Sequence, residues 1–236
     1  MSTVPEPPNA SPAATETLDS RDAESGAGTV VERRDGVLEG ETLVHGEGGA
    51  LLLRATYHDG LLDGPSHCYD AEGELVQKSM YREGLLDGET VIYEQGRIQM
   101  VMRYIAGKRQ GEAAVYNAGV LSSRLSYRDD KLNGRCVWYG QDGSVVKVTE
   151  YLRGREEGPT LLYYPDGTVQ ERSTFRGGVL DGEVLTYRAN GALLRKLFYR
   201  AGRPEGDPQE FDESGRPTGQ DNGGGAGWFG RLLGKS

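Results

Sequence analysis

The sequence predicts an all-β protein, an elongated single-layer antiparallel sheet of tandem β-hairpins with a repeat of ~24 residues. Three observations carry this. A frame Gly-x-x-(acid or amide)-Gly recurs at Gly36/Gly40, Gly60/Gly64, Gly84/Gly88, Gly107/Gly111, Gly154/Gly158, Gly178/Gly182 and Gly202/Gly206, with a further copy that keeps Gly134 but starts with Asp130. Aromatic residues follow each frame at fixed offsets. Glycine also arrives too often for helix, where each one would cost about 1 kcal/mol.

Taken in order, residues 1–28 are rich in Pro, Ala, Ser, Thr and Glu and read as a disordered leader. Thr29–Arg33 reads as a charged edge strand. The repeat domain then spans 29–215, about seven hairpins and a closing strand. In each unit the first strand is expected to run from the second glycine to an aromatic: Tyr69, Tyr93, Tyr116, Tyr139, Tyr163, Tyr187 and Phe211, with His45 in the first copy. The second strand should run from a turn glycine such as Gly73 or Gly96 to another aromatic: Tyr57, Tyr81, Tyr104, Tyr127, Tyr151, Phe175 or Tyr199. One residue is missing in repeats three and four, between the first aromatic and the turn glycine, where a loop can absorb it. Residues 216–236 form a Gly-rich tail ending in Trp228-Phe229-Gly230-Arg231-Leu232-Leu233, a short amphipathic motif.

Loop length sets an expected register. Tyr69 should oppose Glu74, so that Val44, Ile92, Val115, Trp138 and Leu162 face Leu51, Ile98, Leu121, Val145 and Val169 in an apolar seam. The opposite face should carry the first-strand tyrosines and a charged row. There Glu41 should meet Arg54, Glu112 should meet Arg124, and Glu183 should meet Lys196, while Lys78 and Arg172 lie opposite Pro65 and Pro159.

The net charge of −9 argues against nucleic acid as a partner. No apolar run is long enough to span a bilayer, and a cytoplasmic location is the expectation. Cys68 and Cys136 should stand about 29 Å apart at about 4.8 Å per strand, too far for a disulfide, and read as buried thiols. His67 and Cys68 are strand neighbours and point to opposite faces, so they do not converge on a metal. The frame acids are two strands apart, and side chains capping turn amides explain them better than calcium. No catalytic constellation, metal site or cofactor site is expected.

The units Tyr81-x-x-Gly84-x-x-Asp87-Gly88-Glu89-x-x-x-Tyr93 and Tyr104-x-x-Gly107-x-x-Gln110-Gly111-Glu112-x-x-x-Tyr116 resemble MORN repeats, most closely the bacterial variant class that includes YwqK-type antitoxin-like proteins. They depart from the eukaryotic form in having Thr90 and Ala113 where a glycine would follow the turn. The resemblance implies elongated hairpins, non-enzymatic binding and an antitoxin or immunity-like role toward a protein partner. It also implies that Tyr81, Tyr104, Tyr127 and Tyr151 pack over Gly88, Gly111, Gly134 and Gly158. The residues expected to meet a partner are Tyr93, Tyr116, Tyr139, Tyr163, Arg124 and Arg172. The tail residues Trp228, Phe229, Leu232 and Leu233 are left open between an inert end, a partner-docking peptide and a membrane-surface anchor.

Overall fold

The computed structural model describes residues 14–218. They fall into a first unit ending at Arg155 and a second beginning at Glu156. In the first, the strands Gly28–Arg34, Val37–His45, Leu51–His58, Leu61–Tyr69, Leu75–Arg82, Leu85–Glu94 and Arg97–Ile105 follow one another. The next repeat strands are each interrupted once, as Lys108–Arg109 with Gly111–Asn117 and Lys131–Leu132 with Gly134–Tyr139. They alternate with Val120–Arg128 and Val145–Leu152. The second unit holds the strand Arg155–Tyr163 from Glu156 onward, then Val169–Arg176, Val179–Tyr187, Leu193–Arg200, Arg203–Phe211 and Pro217–Thr218. Within each unit the strands pair antiparallel with their neighbours. The 3₁₀ turn Glu47–Gly49 is the only helical element among the described residues, so no helix covers either face.

The expected leader divides. Residues 1–13 lie outside the described residues, but Thr15–Asp19 pairs along its whole length with Gly28–Arg34. Gly28–Arg34 is therefore an interior strand and not the edge. Composition hid this because ladder pairing uses backbone groups and asks nothing of the side chains. The return is fixed by polar contacts: the Asp22 carboxylate accepts from the amides of Glu24 and Ser25. Arg21 grips Asp19 and pulls its carboxyl down to about 2.

Each repeat begins with a two-residue turn in which both residues have positive φ, as at Asp59-Gly60 (48° and 79°) and Ala106-Gly107 (48° and 79°). This is the type I′ geometry, whose twist matches that of the flanking strands. Its first position is strained for any side chain, and the preceding repeat compensates. Glu39 accepts from the Asp59 amide, Asp63 from Glu83, Asp87 from Ala106, Gln110 from Asp129, Asn133 from Arg153 and Glu157 from Gly177. The next amide in each turn donates to a backbone carbonyl of that same earlier strand, Gly60 to Leu38, Gly84 to Leu62 and Gly107 to Leu86. The frame acids are thus turn caps, as expected, but they sit inside strands. Strands start one residue after the first glycine and run through the second, not from it. Where Asp130 replaces the frame glycine, Arg109 donates to its carboxylate through both the amide and Nε.

Asp87→Ala should free the Ala106 amide and cost about 1 kcal/mol, the worth of one ordinary hydrogen bond. Hydrogen exchange at Ala106 should quicken, while Asp87→Asn, which keeps the acceptor as Asn133 does, should leave it slow.

The register differs from the expected one by two residues. Val44 faces Leu53, Ile92 faces Met100, Val115 faces Ser123, Trp138 faces Lys147 and Leu162 faces Glu171. The residues expected there instead face the aromatics: Leu51 meets His45, Ile98 meets Tyr93, Leu121 meets Tyr116, Val145 meets Tyr139 and Val169 meets Tyr163. The reason is a β-bulge in each of these hairpins, just before the first-strand aromatic, which inserts an unpaired residue that loop length does not reveal. A shift of two preserves parity on the frame side of the bulge, so Val44, Ile92, Val115, Trp138 and Leu162 keep their face, while the seam residues expected opposite them stand against the aromatics. The expected ion pairs form on a diagonal, Glu112 with Arg124 at 2.9 Å and Glu183 with Lys196 at 2.5 Å. Glu41 and Arg54 pair likewise. Tyr81, Tyr104, Tyr127 and Tyr151 are directly opposite Gly64, Gly88, Gly111 and Gly134, one repeat earlier than the resemblance implied.

Small residues form a buried row in each unit, and Val91 and Val148 of the first unit are buried on the other face. Thr42, Ala55, Ser66, Ser79 and Thr90 lie side by side on successive strands and are buried. Ala113, Cys136 and Thr149 continue the row in the first unit, and Thr160 and Ser173 form it in the second. A lone sheet can bury such residues only where larger same-face neighbours lean over them. The tyrosine row does so on one side, and Leu53, Ile92, Met100 and Trp138 on the other. The remaining gap admits only small side chains. Cys136 is fully buried, which pushes its thiol up; Cys68 is half-buried, and both are free thiols.

At the other hairpin ends, carboxylates cap the loops and are held below the usual range. The Ser144 hydroxyl and amide do this at Asp142, the Thr168 amide at Asp166 and the Arg216 amide at Asp212; at the frame turns the Asp59 amide does so at Glu39. Each group has a lower pKa folded than unfolded, so its contribution is present above about pH 4 and is lost as pH falls through the folded values. The urea midpoint should therefore drop below about pH 4. A variant carrying Asp142→Asn and Asp166→Asn should lose part of that pH dependence.

Candidate docking face

The first-strand tyrosines follow the bulge on each strand and project, by alternation from Ile92, Val115, Trp138 and Leu162, to the charged face. Tyr93, Tyr116 and Tyr139 in the first unit and Tyr163 in the second are half-buried. Each stands beside an aliphatic partner across its hairpin, so most of its ring serves the fold.

Tyr139 is brought into a recess. With Leu121, Val120, Asn117 and Gln141 it lines a notch of about 290 Å³ at the loop end of the first unit. The cause is the missing residue in repeat four. Asn117-Ala118-Gly119-Val120 closes in a tight turn with Ala118 at φ 50°, whereas the following hairpin uses the longer Gly140–Ser144 loop, closed by Gly140 donating to the Ser144 carbonyl. A short tip beside a longer one leaves a step. Val120, at its mouth, is 42% exposed. Val120, Asn117 and Gln141 were not singled out from the sequence, and the length change was the signal that could have found them.

The two arginines differ. Arg124 is held by Glu112. Arg172 has no ion pair among the described residues, because Pro159 stands where other repeats carry glutamate. It lines a concavity of about 400 Å³ in the second unit with Thr174, Arg176 and Phe198, and Phe198 is 38% exposed. Here Arg176 is paired with Asp181 at 3.7 Å and Glu183 with Lys196. The arrangement offers one unpaired guanidinium beside an exposed ring. Trp228, Phe229, Leu232 and Leu233 lie outside the described residues. Among the described residues no group of three or more His, Cys, Asp or Glu is placed to hold a metal ion. No helix among them is long and apolar enough to cross a membrane.

A family model described as MORN repeat variant matches residues 156–176. These residues make up one hairpin of the second unit, from the start of Arg155–Tyr163 to the end of Val169–Arg176. The match supports the MORN repeat family for this array of like hairpins. No curated protein matches the chain.

Proposed function

We propose that the chain is a non-enzymatic scaffold that binds another protein, with the notch between the unequal hairpin tips of the first unit as the point of docking. The single observation that carries this is the recess itself. It is lined by Tyr139, Asn117, Gln141 and the exposed Val120, the mixture of aromatic anchor and polar rim that protein interfaces use. Similarity of the repeats to the bacterial antitoxin-like branch directs the search for the partner to a toxin encoded nearby, in the cytoplasm.

Co-expression of the chain with products of adjacent genes, followed by purification and relief-of-toxicity assays, tests the reading. One product should co-purify at fixed stoichiometry. Val120→Glu, on an exposed rim where the fold should tolerate it, should weaken that complex at least tenfold, equivalent to about 1.4 kcal/mol. A complex that ignores Val120→Glu and Tyr139→Ala would remove the notch, and recovery of no partner would remove the scaffold reading.

A further inference from the structure

The second repeat departs from its siblings at two positions of the charged face. Where other first strands carry Leu43, Val91, Ala114, Val137, Leu161 and Leu185, it carries His67. Where Glu41, Glu89, Glu112 and Glu183 stand, it has Pro65, as the sixth repeat has Pro159, but only the second combines the lost acid with histidine. The register sets His67 directly between Arg54 and Lys78 on the adjacent strands. Arg54 is paired with Glu41. Lys78 is exposed and has no ion pair among the described residues, since the acid that takes this place in other repeats is the missing one.

Three nitrogen-bearing side chains therefore stand in a line across three strands, with one aliphatic position exchanged for imidazole and one carboxylate deleted. We propose that Arg54, His67 and Lys78 form a binding site for a tetrahedral oxyanion, a phosphate or sulfate group. Lys78 supplies the uncompensated charge, Arg54 a guanidinium fork suited to oxyanion oxygens, and His67 a donor from the half-buried floor. Burial, and then Lys78 and Arg54, hold the His67 imidazole below its usual value. It is neutral near pH 7, and an anion between the cations would draw a proton onto it. The other charged or titratable groups near this line are Tyr69 on the same strand, Glu41 on Arg54, and Glu89, two residues along from Val91, the partner of Lys78. Because Glu41 already occupies Arg54, binding should be weak near pH 8 and tighten as His67 protonates. This site is independent of the notch and of any protein partner.

The test is a histidine NMR titration of the full chain with and without sulfate, whose charge is constant over the range used. The His67 pKa should rise by about one unit in sulfate, a tenfold coupling, while that of His58 stays within a few tenths. Lys78→Gln should remove that rise. Pro65→Glu, which restores the repeat's own acid and gives Lys78 a partner, should remove it as well and leave the hairpin folded. In His67→Val, sulfate affinity should lose its pH dependence. A titration unmoved by sulfate, or a rise of equal size in Lys78→Gln, would overturn the proposal. Competition by a soluble phosphate monoester against vesicles containing phosphatidic acid then tells a soluble ligand from a lipid headgroup.

Discussion

Gly88→Val is expected to lower the stability of the first unit by about 3 kcal/mol, measured as a fall in the urea midpoint. Gly88 has φ +127°, a conformation that side-chain-bearing residues rarely adopt, and a Cβ built there would stand 2.9 Å from the Met80 Cβ. The position is fixed by the pairing of the two strands. Between Ser79 opposite Thr90 and Tyr81 opposite Leu86 the register slips, so Met80 alone confronts the Asp87-Gly88-Glu89 segment. The side chain cannot retreat, because Met80 meets it at its own Cβ and not at a flexible end. Gly111, at φ +85° with nothing within 4 Å of the added atom, provides the comparison. Gly111→Ala should cost only the backbone strain, about 1 kcal/mol. Equal losses at the two sites would mean that the close approach at Met80 is not what demands glycine.

Ala55→Leu is expected to cost about 2 kcal/mol, in the range of over-packed interiors. Ala55 is 1% exposed and lies between Thr42 and Ser66 in the buried row. Three added carbons there must lift the tyrosine row or the Leu53 row off the sheet. The near-ultraviolet tyrosine signal should weaken along with the thermal midpoint. Leu at exposed Lys78, one row away on the other face, should leave both unchanged. If Ala55→Leu were neutral or stabilising, the row would be a groove with room to spare and not a packed crease.

Much of this was legible in the residues because parity survives errors of register. Face assignment depends only on odd and even offsets, so Val44 and the first-strand tyrosines were set on opposite faces and Glu41 was placed with Arg54 although strand partners were displaced by two positions. The displacement was not legible. A bulge adds a residue to one strand without changing the repeat length, so the spacing from Tyr69 to Gly73 is silent about it. Strand starts were misplaced for a related reason. Two glycines four apart look like the ends of one turn, yet only Gly60 turns the chain, while Gly64 sits in the strand at φ +116°. Thr15–Asp19 was hidden by composition, its order coming from backbone pairing and the Asp22 loop. At the candidate docking face the difference between the two arginines was legible, with Glu112 set against Arg124 and Pro159 opposite Arg172, and of the two only Arg124 is held.

The turn caps run in one direction except at Asp130, whose carboxylate accepts back from the Arg109 amide. Asp63 and the Leu62 carbonyl serve the turn at Glu83-Gly84, and nothing in that turn is returned to them. A chain leaving the ribosome therefore finds the acceptors for each new reversal already in place behind it, and every hairpin can close as soon as it emerges. Losing residues from the far end of the array would orphan none of these amides, whereas trimming a repeat from its beginning would strip the acceptors from the next. Growth and decay of such an array should accordingly be unequal at its two ends.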